Sequence, residues 1–308
     1  MRIYKPKFWD KRKSILSILL YPFALFYFAI IVLRKILSKR KKFNLHIICI
    51  GNIYVGGTGK TPLSILLGNE LLKKNKKPVI VRKFYQNHVD EHRYIEENFE
   101  KLILNKNRVK AIFEAERTGY QTVILDDGAQ DYSIHKDLSI ICFNQNQLIG
   151  NGFVFPSGPL RENMNALKDT QIIVINGKKD SSFEKMIMDI NKNIKIFYSH
   201  YKPININEFK NKDLLALAGI ANPENFFNLL IKNECNLVKK LIYPDHYIFS
   251  KNEILKIIDK ANRDNLKIIM TEKDFFKIKD LELKKNSFLK ISLKIKKYDD
   301  FLSLLKKL

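Results

Sequence analysis

The stretch "HIICIGNIYVGGTGKTP" (46–62) decides how the chain folds. Its first five residues read as a buried strand, and "KTPLSILLGNELLKK" (60–74) reads as the helix that follows. Between them lie Gly56, Gly57 and Gly59, then the pair Lys60-Thr61. A Gly-rich turn ahead of a helix aims backbone N–H groups at a common point, and such a cradle suits phosphate oxygens. The lysine reaches the outer phosphates and the threonine hydroxyl takes a place on Mg²⁺. The nucleotide-binding residues expected here are Val55, Gly56, Gly57, Thr58, Gly59, Lys60, Thr61 and Pro62. The general pattern carries another glycine five residues before Gly59. Tyr54 stands at that place, which leaves Gly56 and Gly57 to supply the backbone freedom. A glycine turn with no ligand is the alternative, and the strand-then-helix context counts against it.

An NTP site needs an acid at the end of a second apolar strand. "VILDDG" (123–128) offers Asp126 and Asp127. Two adjacent carboxylates repel each other unless a cation lies near, and Mg²⁺ is the cation expected.

Around this pair the chain alternates strand and helix. Strands are expected at 43–50, 77–84, 121–128, 137–144 and 170–177, with a helix at 108–119. A second series follows: strand 213–221, helix 222–234 with Pro223 in its first turn, strand 236–243, helix 250–263, strand 265–274, strand 288–295 and a helical tail 298–308. Such alternation predicts an α/β fold: a P-loop NTPase-like parallel-sheet domain over 43–200, then a smaller α/β domain over 201–308.

The 308 residues carry 55 Lys+Arg against 32 Asp+Glu, a net charge of +23. An anionic partner is implied, whether membrane, nucleic acid or phosphorylated substrate. A general lysine bias along the chain gives the same number, so charge is supporting and not decisive. Cys49, Cys142 and Cys235 form no CxxC pattern and read as buried free thiols. Residues 14–33, "SILSILLYPFALFYFAIIVL", hold no charge over 20 positions, and basic clusters flank them on both sides. Arg34-Lys35 directly behind argues against a cleaved signal peptide. Pro22 argues against a straight span. Residues 1–42 are expected to form a membrane-associated helix lying in the interface, with the rest of the chain in the cytoplasm.

The motifs, taken in order, resemble those of the tetraacyldisaccharide 4'-kinases, the lipid A 4'-kinases of Gram-negative bacteria. "GNIYVGGTGKTP" (51–62) resembles that family's phosphate loop, including the missing first glycine. "DDGAQDY" (126–132), "GNGFVFPSGPLREN" (150–163), "LAGIANPENFF" (217–227), "YPDHY" (243–247) and "MTEKD" (270–274) follow in the family's order. The resemblance implies transfer of the γ-phosphate of ATP to the 4'-hydroxyl of a tetraacyl glucosamine disaccharide 1-phosphate. That acceptor is an anionic lipid of the inner membrane, which accounts for the basic, apolar N-terminus. ATP and Mg²⁺ are the implied cofactors. A monomer at the cytoplasmic face of the inner membrane is expected, with no nucleic acid partner.

Residue roles follow from the resemblance. Lys60 would hold the outer phosphates. Thr61, Asp126, Asp127 and Glu162 would serve the metal. Arg161 would compensate phosphate charge, and Arg108 and Gln130 would face the substrate side. Asp90, from "VDEH" (89–92), would be the base, oriented by His246 of "PDHY". Three places depart from the family's pattern. Its S-R-G-Y-G turn is "RKFYQN" (82–87), residues 84–107 are short and degenerate, and the histidine of its DDG-x-Q-H segment is Asp131.

The competing reading is a membrane-associated P-loop ATPase of partitioning type, without lipid phosphorylation. Such proteins carry a lysine where this chain has Val55.

Overall fold

The computed structural model describes residues 6–11, 14–220, 222–245, 247–278 and 287–305. The N-terminal segment forms two helices, α1 (Ile15–Leu19) and α2 (Tyr21–Leu37). The break falls at Leu20, and Pro22 stands in the first turn of α2, where its missing N–H leaves no hydrogen bond unmade. Among the described residues no helix is long and apolar enough to cross a membrane.

The chain then alternates as β1 (His46–Gly51), α3 (Lys60–Lys73), β2 (Pro78–Lys83), α4 (Val89–Asn98), β3 (Leu102–Asn105), α5 (Arg108–Arg117), β4 (Thr122–Asp126), β5 (Leu138–Asn144), β6 (Ile172–Asn176), α6 (Ser181–Ile190) and β7 (Lys195–Pro203). A second run gives β8 (Asp213–Ala218), α7 (Pro223–Lys232), β9 (Asn236–Ile242), α8 (Lys251–Arg263), β10 (Lys267–Thr271), α9 (Glu272–Ile278), β11 (Phe288–Leu289), β12 (Ile291–Ile295) and α10 (Tyr298–Leu305).

Two compact units result, and they are not contiguous in sequence. The larger takes the described residues up to 84, then 99–200 and those from 293 on. The smaller takes 85–98 and 201–292. The expected contiguous split near residue 200 therefore differs from the structure at two places. Helix α4 packs on α9 and so joins the smaller unit, while α10 returns to the larger one, where Phe301 packs edge-on against Phe197 at 5.2 Å.

The larger unit is built on an eight-stranded sheet of order β12-β7-β6-β5-β1-β4-β2-β3. β1 pairs in parallel with β4 on one side and β5 on the other. Central parallel strands are covered on both faces, which is why Ile47, Ile48, Cys49 and Ile50 are all buried and the sequence shows no alternation there. The smaller unit holds a four-stranded parallel sheet of order β11-β10-β8-β9. Its core gathers Phe209, Leu214, Ala216, Phe226, Phe227 and Ile269. Cys49, Cys142 and Cys235 are buried free thiols.

Candidate active site

The loop 52–59 leaves the C-terminal end of β1 and enters α3 at Lys60. Gly56 (φ 138°) and Gly59 (φ 87°) adopt backbone conformations that a side chain would resist, so glycine is required at both. Tyr54, the residue in place of the expected glycine, is fully buried. Its hydroxyl accepts the N–H of Asn144 at 2.8 Å, and its ring lies 6.0 Å from that of Phe143. It anchors the loop's entry where a glycine would leave a void.

The "GPLRE" segment is joined to this loop through the backbone. Val55 donates its N–H to Pro159 O at 2.8 Å, and Arg161 donates to Ile53 O at 2.7 Å. These bonds bring Arg161 and Glu162 to the phosphate loop despite a separation of about a hundred positions. Gln130 completes the connection: its Nε2 donates to Asn52 O and to Glu162 Oε1, both at 2.9 Å.

Asp127 stands in the turn after β4 with φ 57°, a left-handed conformation that Asp tolerates better than most residues. Its Oδ1 meets Lys60 Nζ at 3.4 Å and Arg161 Nη1 at 3.2 Å. Burial alone would raise its pKa, but Lys60, Arg161, Arg82 and Arg108 together hold the carboxyl well below the usual range. It is ionised at any physiological pH. Arg108 donates Nη2 to the main-chain O of Asp127 at 2.6 Å, and its Nη1 lies 3.6 Å from Asp131 Oδ2. Asp131, which replaces the family's histidine, is thus an ion-pair partner for Arg108.

Asp126 is completely buried. Its Oδ1 accepts Ser64 Oγ–H at 2.9 Å, its Oδ2 accepts Thr61 Oγ1–H at 3.1 Å, and Arg82 Nη1 pairs with the same Oδ2. The two adjacent acids were expected to have a cation near them, Mg²⁺ above all; protein cations also lie there, Arg82 at Asp126 and the Lys60–Arg161 pair at Asp127. Sequence reading missed Arg82 and Ser64. A signal was present for the first: a charge directly behind the buried run "PVIV". Parallel register makes Arg82 and Asp126 direct partners.

Among the described residues, no group of three or more His, Cys, Asp or Glu side chains could hold a metal by itself. Mg²⁺ does not require one, since nucleotide phosphates and water supply most of its ligands in kinase sites. The hydroxyl of Thr61 and the carboxylates beside it are hard oxygen donors of the right kind. Thr58 Oγ1 and Asn52 Oδ1, both in the loop, are buried with no hydrogen-bond partner among the described residues. The Thr58 hydroxyl is free to donate to a phosphate oxygen, whereas Asn52 Oδ1 is an acceptor that would take a donor such as water.

The structure brings together Lys60, Thr61, Arg108, Asp126, Asp127, Gln130, Arg161 and Glu162 in the larger unit. Asp90 lies in the smaller one, on α4. It is buried, with Lys277 Nζ 4.0 Å from its Oδ2. Lys277 in turn donates to Asp274 Oδ1 at 2.8 Å and to Gly219 O at 2.7 Å, which ties the "TEKD" and "LAGIA" motifs to the same spot. His246 lies outside the described residues.

The chain matches the sequence model of the family described as Tetraacyldisaccharide-1-P 4'-kinase over residues 16–308. A curated tetraacyldisaccharide 4'-kinase of Pelagibacter ubique (strain HTCC1062) is 42% identical over 301 residues, covering 96% of this chain and 95% of that protein. The chain belongs to the tetraacyldisaccharide 4'-kinase family. The kinase of that name from Rickettsia bellii (strain OSU 85-389) is 32% identical, over 91% of each chain. A crystal structure of LpxK from Aquifex aeolicus in complex with ATP shares the fold, with a TM-score of 0.71 at 20% identity. It covers 95% of this chain and 99% of that one. In this kinase, then, the glycine turn with no ligand and the partitioning-type ATPase are the readings set aside.

Proposed function

We infer that this chain transfers the γ-phosphate of ATP to the 4'-hydroxyl of a tetraacyl glucosamine disaccharide 1-phosphate, the acceptor of lipid A synthesis. One observation carries the geometry of that reading: Lys60 and Arg161, from two separate motifs, converge on Asp127 at the mouth of a glycine cradle. Phosphoryl transfer has little covalent work for the protein, so positioned positive charge is the main contribution.

The backbone of 55–59 would receive the nucleotide phosphates. Lys60 and Arg161 would compensate charge on the group in flight. Thr61, with Asp126, Asp127 and Glu162 around it, would hold Mg²⁺, which neutralises phosphate charge when bound. Arg108 and Gln130 hold the shape of the Asp127 turn and of the Glu162 side chain, and through these they would set the acceptor side. The acceptor oxygen attacks phosphorus as the bond to the ADP oxygen breaks, and the hydroxyl proton would go to a base, the role expected of Asp90 with His246. Support for Asp90 is that Lys277 Nζ lies 4.0 Å from its Oδ2, a counter-charge beside a buried carboxylate.

Attachment to the cytoplasmic face of the inner membrane is supported by α1 and α2. Ile15, Phe26 and Ile36 are exposed by 78%, 70% and 74%, and Arg34, Lys35, Lys39 and Arg40 lie at or just past the end of α2. Apolar side chains in water beside basic ones suit an anionic lipid surface. The segment is also fastened to the larger unit. Ser157 Oγ–H donates to Ser17 O at 2.8 Å, Asn151 Nδ2 to Ser17 Oγ at 3.0 Å, and Trp9 Nε1 to Pro156 O at 3.0 Å.

The test is incubation of the purified chain with γ-labelled ATP, Mg²⁺ and the disaccharide 1-phosphate lipid. Label in the lipid is the expected result. ATP hydrolysis with no labelled lipid would restore the partitioning-type reading.

A further inference from the structure

Arg82 occupies a place that phosphoryl-transfer chemistry reserves for something else. It is 5% exposed, and its Nη1 pairs with Asp126 Oδ2 and reaches Thr61 Oγ1 at 3.4 Å. The third member of the cluster, Ser64, takes the other carboxylate oxygen. The hydroxyl and the carboxylate oxygen on the metal side of the nucleotide site are therefore both in contact with a guanidinium fixed to β2. The charges in the surrounding cluster already balance: Lys60, Arg82, Arg108 and Arg161 stand against Asp126, Asp127, Asp131 and Glu162. Among the described residues, four cations of this cluster thus face four carboxylates.

We propose that Arg82 is a tethered cation that competes with Mg²⁺ for the Thr61–Asp126 pair, holding the pair in the metal-free enzyme and giving it up as the metal–nucleotide complex enters. Two consequences follow from charge alone. The metal-free protein keeps a counter-charge on the buried Asp126, since a buried carboxylate without a partner would be strongly destabilising. Productive Mg²⁺ binding must also displace a charge-assisted hydrogen bond, so the site takes the metal more weakly than the bare residues would. Arg82 thus makes occupancy sensitive to the free Mg²⁺ concentration. This role rests on the reading of Thr61 and Asp126 as metal-side residues.

The experiment measures binding of a non-hydrolysable ATP analogue to the full chain in detergent while Mg²⁺ is titrated, with Arg82→Met and Arg82→Lys beside the unmodified protein. In Arg82→Met the half-saturating Mg²⁺ concentration should fall by roughly tenfold or more, the equivalent of one charge-assisted hydrogen bond. Its melting temperature without metal should drop and be restored by Mg²⁺ with the analogue. Arg82→Lys should stay near the unmodified profile. An unchanged Mg²⁺ half-point in a folded Arg82→Met protein would reduce Arg82 to a structural ion pair. Should Arg82→Met not fold, arginine-labelled unmodified protein decides. Its Arg82 Nε–H resonance, assigned by its absence in Arg82→Lys, must move on adding Mg²⁺ with the analogue and stay put with the analogue alone. A resonance that ignores Mg²⁺ overturns the competition. Mg²⁺-dependent binding with Arg82 unmoved sinks only the tethered cation, whereas analogue binding that never responds to Mg²⁺ sinks the metal-side reading as well.

Discussion

Lys60 and Arg161 share one oxygen: the ammonium lies 3.4 Å and the guanidinium 3.2 Å from Asp127 Oδ1. Two like charges are held together by a carboxylate that cannot take a proton near neutral pH. The arrangement keeps positive charge fixed at the cradle before any phosphate arrives, so little reorganisation is left for the chemical step.

Lys60→Ala is expected to lower lipid phosphorylation by ~10²-fold or more, the scale seen when one preorganised donor to a transition state is removed. Asp127→Asn should also lose activity, by another route. It leaves the two cations facing each other without their counter-charge, so the melting temperature should fall as well. Labelled-lipid assays with thermal melts of both variants separate the two. A Lys60→Ala protein with unchanged turnover would place the phosphate elsewhere.

Tyr54 gives a sharper test of how the loop is built. Tyr54→Gly restores the residue expected from the general pattern, yet it should cost ~3–5 kcal/mol, since it removes a fully buried ring and leaves a cavity. Tyr54→Phe keeps the packing and strands the N–H of Asn144, at about 1–3 kcal/mol. Urea unfolding reads both. A Tyr54→Gly chain as stable as the parent would show that the entry to the loop carries no packing role.

How much was legible divides along physical lines. Elements with local signals were read correctly: a strand, glycines and a lysine at 46–60, and the acids ending β4. Position in the sheet was not. Arg82 and Asp126 become neighbours only because β2 lies beside β4 in parallel register, a contact 44 positions apart with no local trace. Helix α4 was taken for part of a degenerate polar stretch because Glu91, Arg93, Glu96 and Glu97 break up its pattern, although Glu91 pairs with Lys273 and Arg93 donates to Phe276 O, both on α9. Its inner face buries Asp90, His92, Tyr94 and Ile95. Three of those four are polar or partly so, and an apolar stripe cannot be seen in such a pattern. Helix α9 was hidden inside a strand expected to run to residue 274. The chain turns at Glu272, and Asp274 bonds back to Thr271 Oγ1 and to the N–H of Gly219.

Asp90→Ala is expected to lower kcat by ~10²-fold or more while ATP binding persists, as loss of a positioned base should. A purely structural role would show differently. Removing the carboxylate leaves Lys277 with Asp274 as its remaining anionic partner at 2.8 Å. If the melting temperature falls while kcat holds, Asp90 is a packing residue and the base lies elsewhere. Asp90→Asn, close in shape, should keep the fold and still lose turnover.

Glu272 makes the smaller unit sensitive to pH. Burial is the main cause that pushes its carboxyl from 4.5 up to about 7, and Glu97 adds to it, while the amide of Asn98 at 3.4 Å and Lys290 oppose it. The buried phenol of Tyr94 lies near and is itself pushed up. Below the unfolded value of 4.5 the group is protonated in both states and costs nothing. As pH rises toward 7 the unfolded chain releases the proton while the folded chain keeps it, so stability is lost through that window. Above it the penalty is complete, at up to about 3 kcal/mol. Glu272→Gln abolishes the titration and keeps the amide contact with Asn98 available. The variant should match the parent near the low end of the window and exceed it in stability above the high end. Denaturant unfolding of both proteins across that range checks it. A gap that stays constant with pH would mean that Glu272 does not titrate between its unfolded and folded values, and that the difference between the proteins is one of packing.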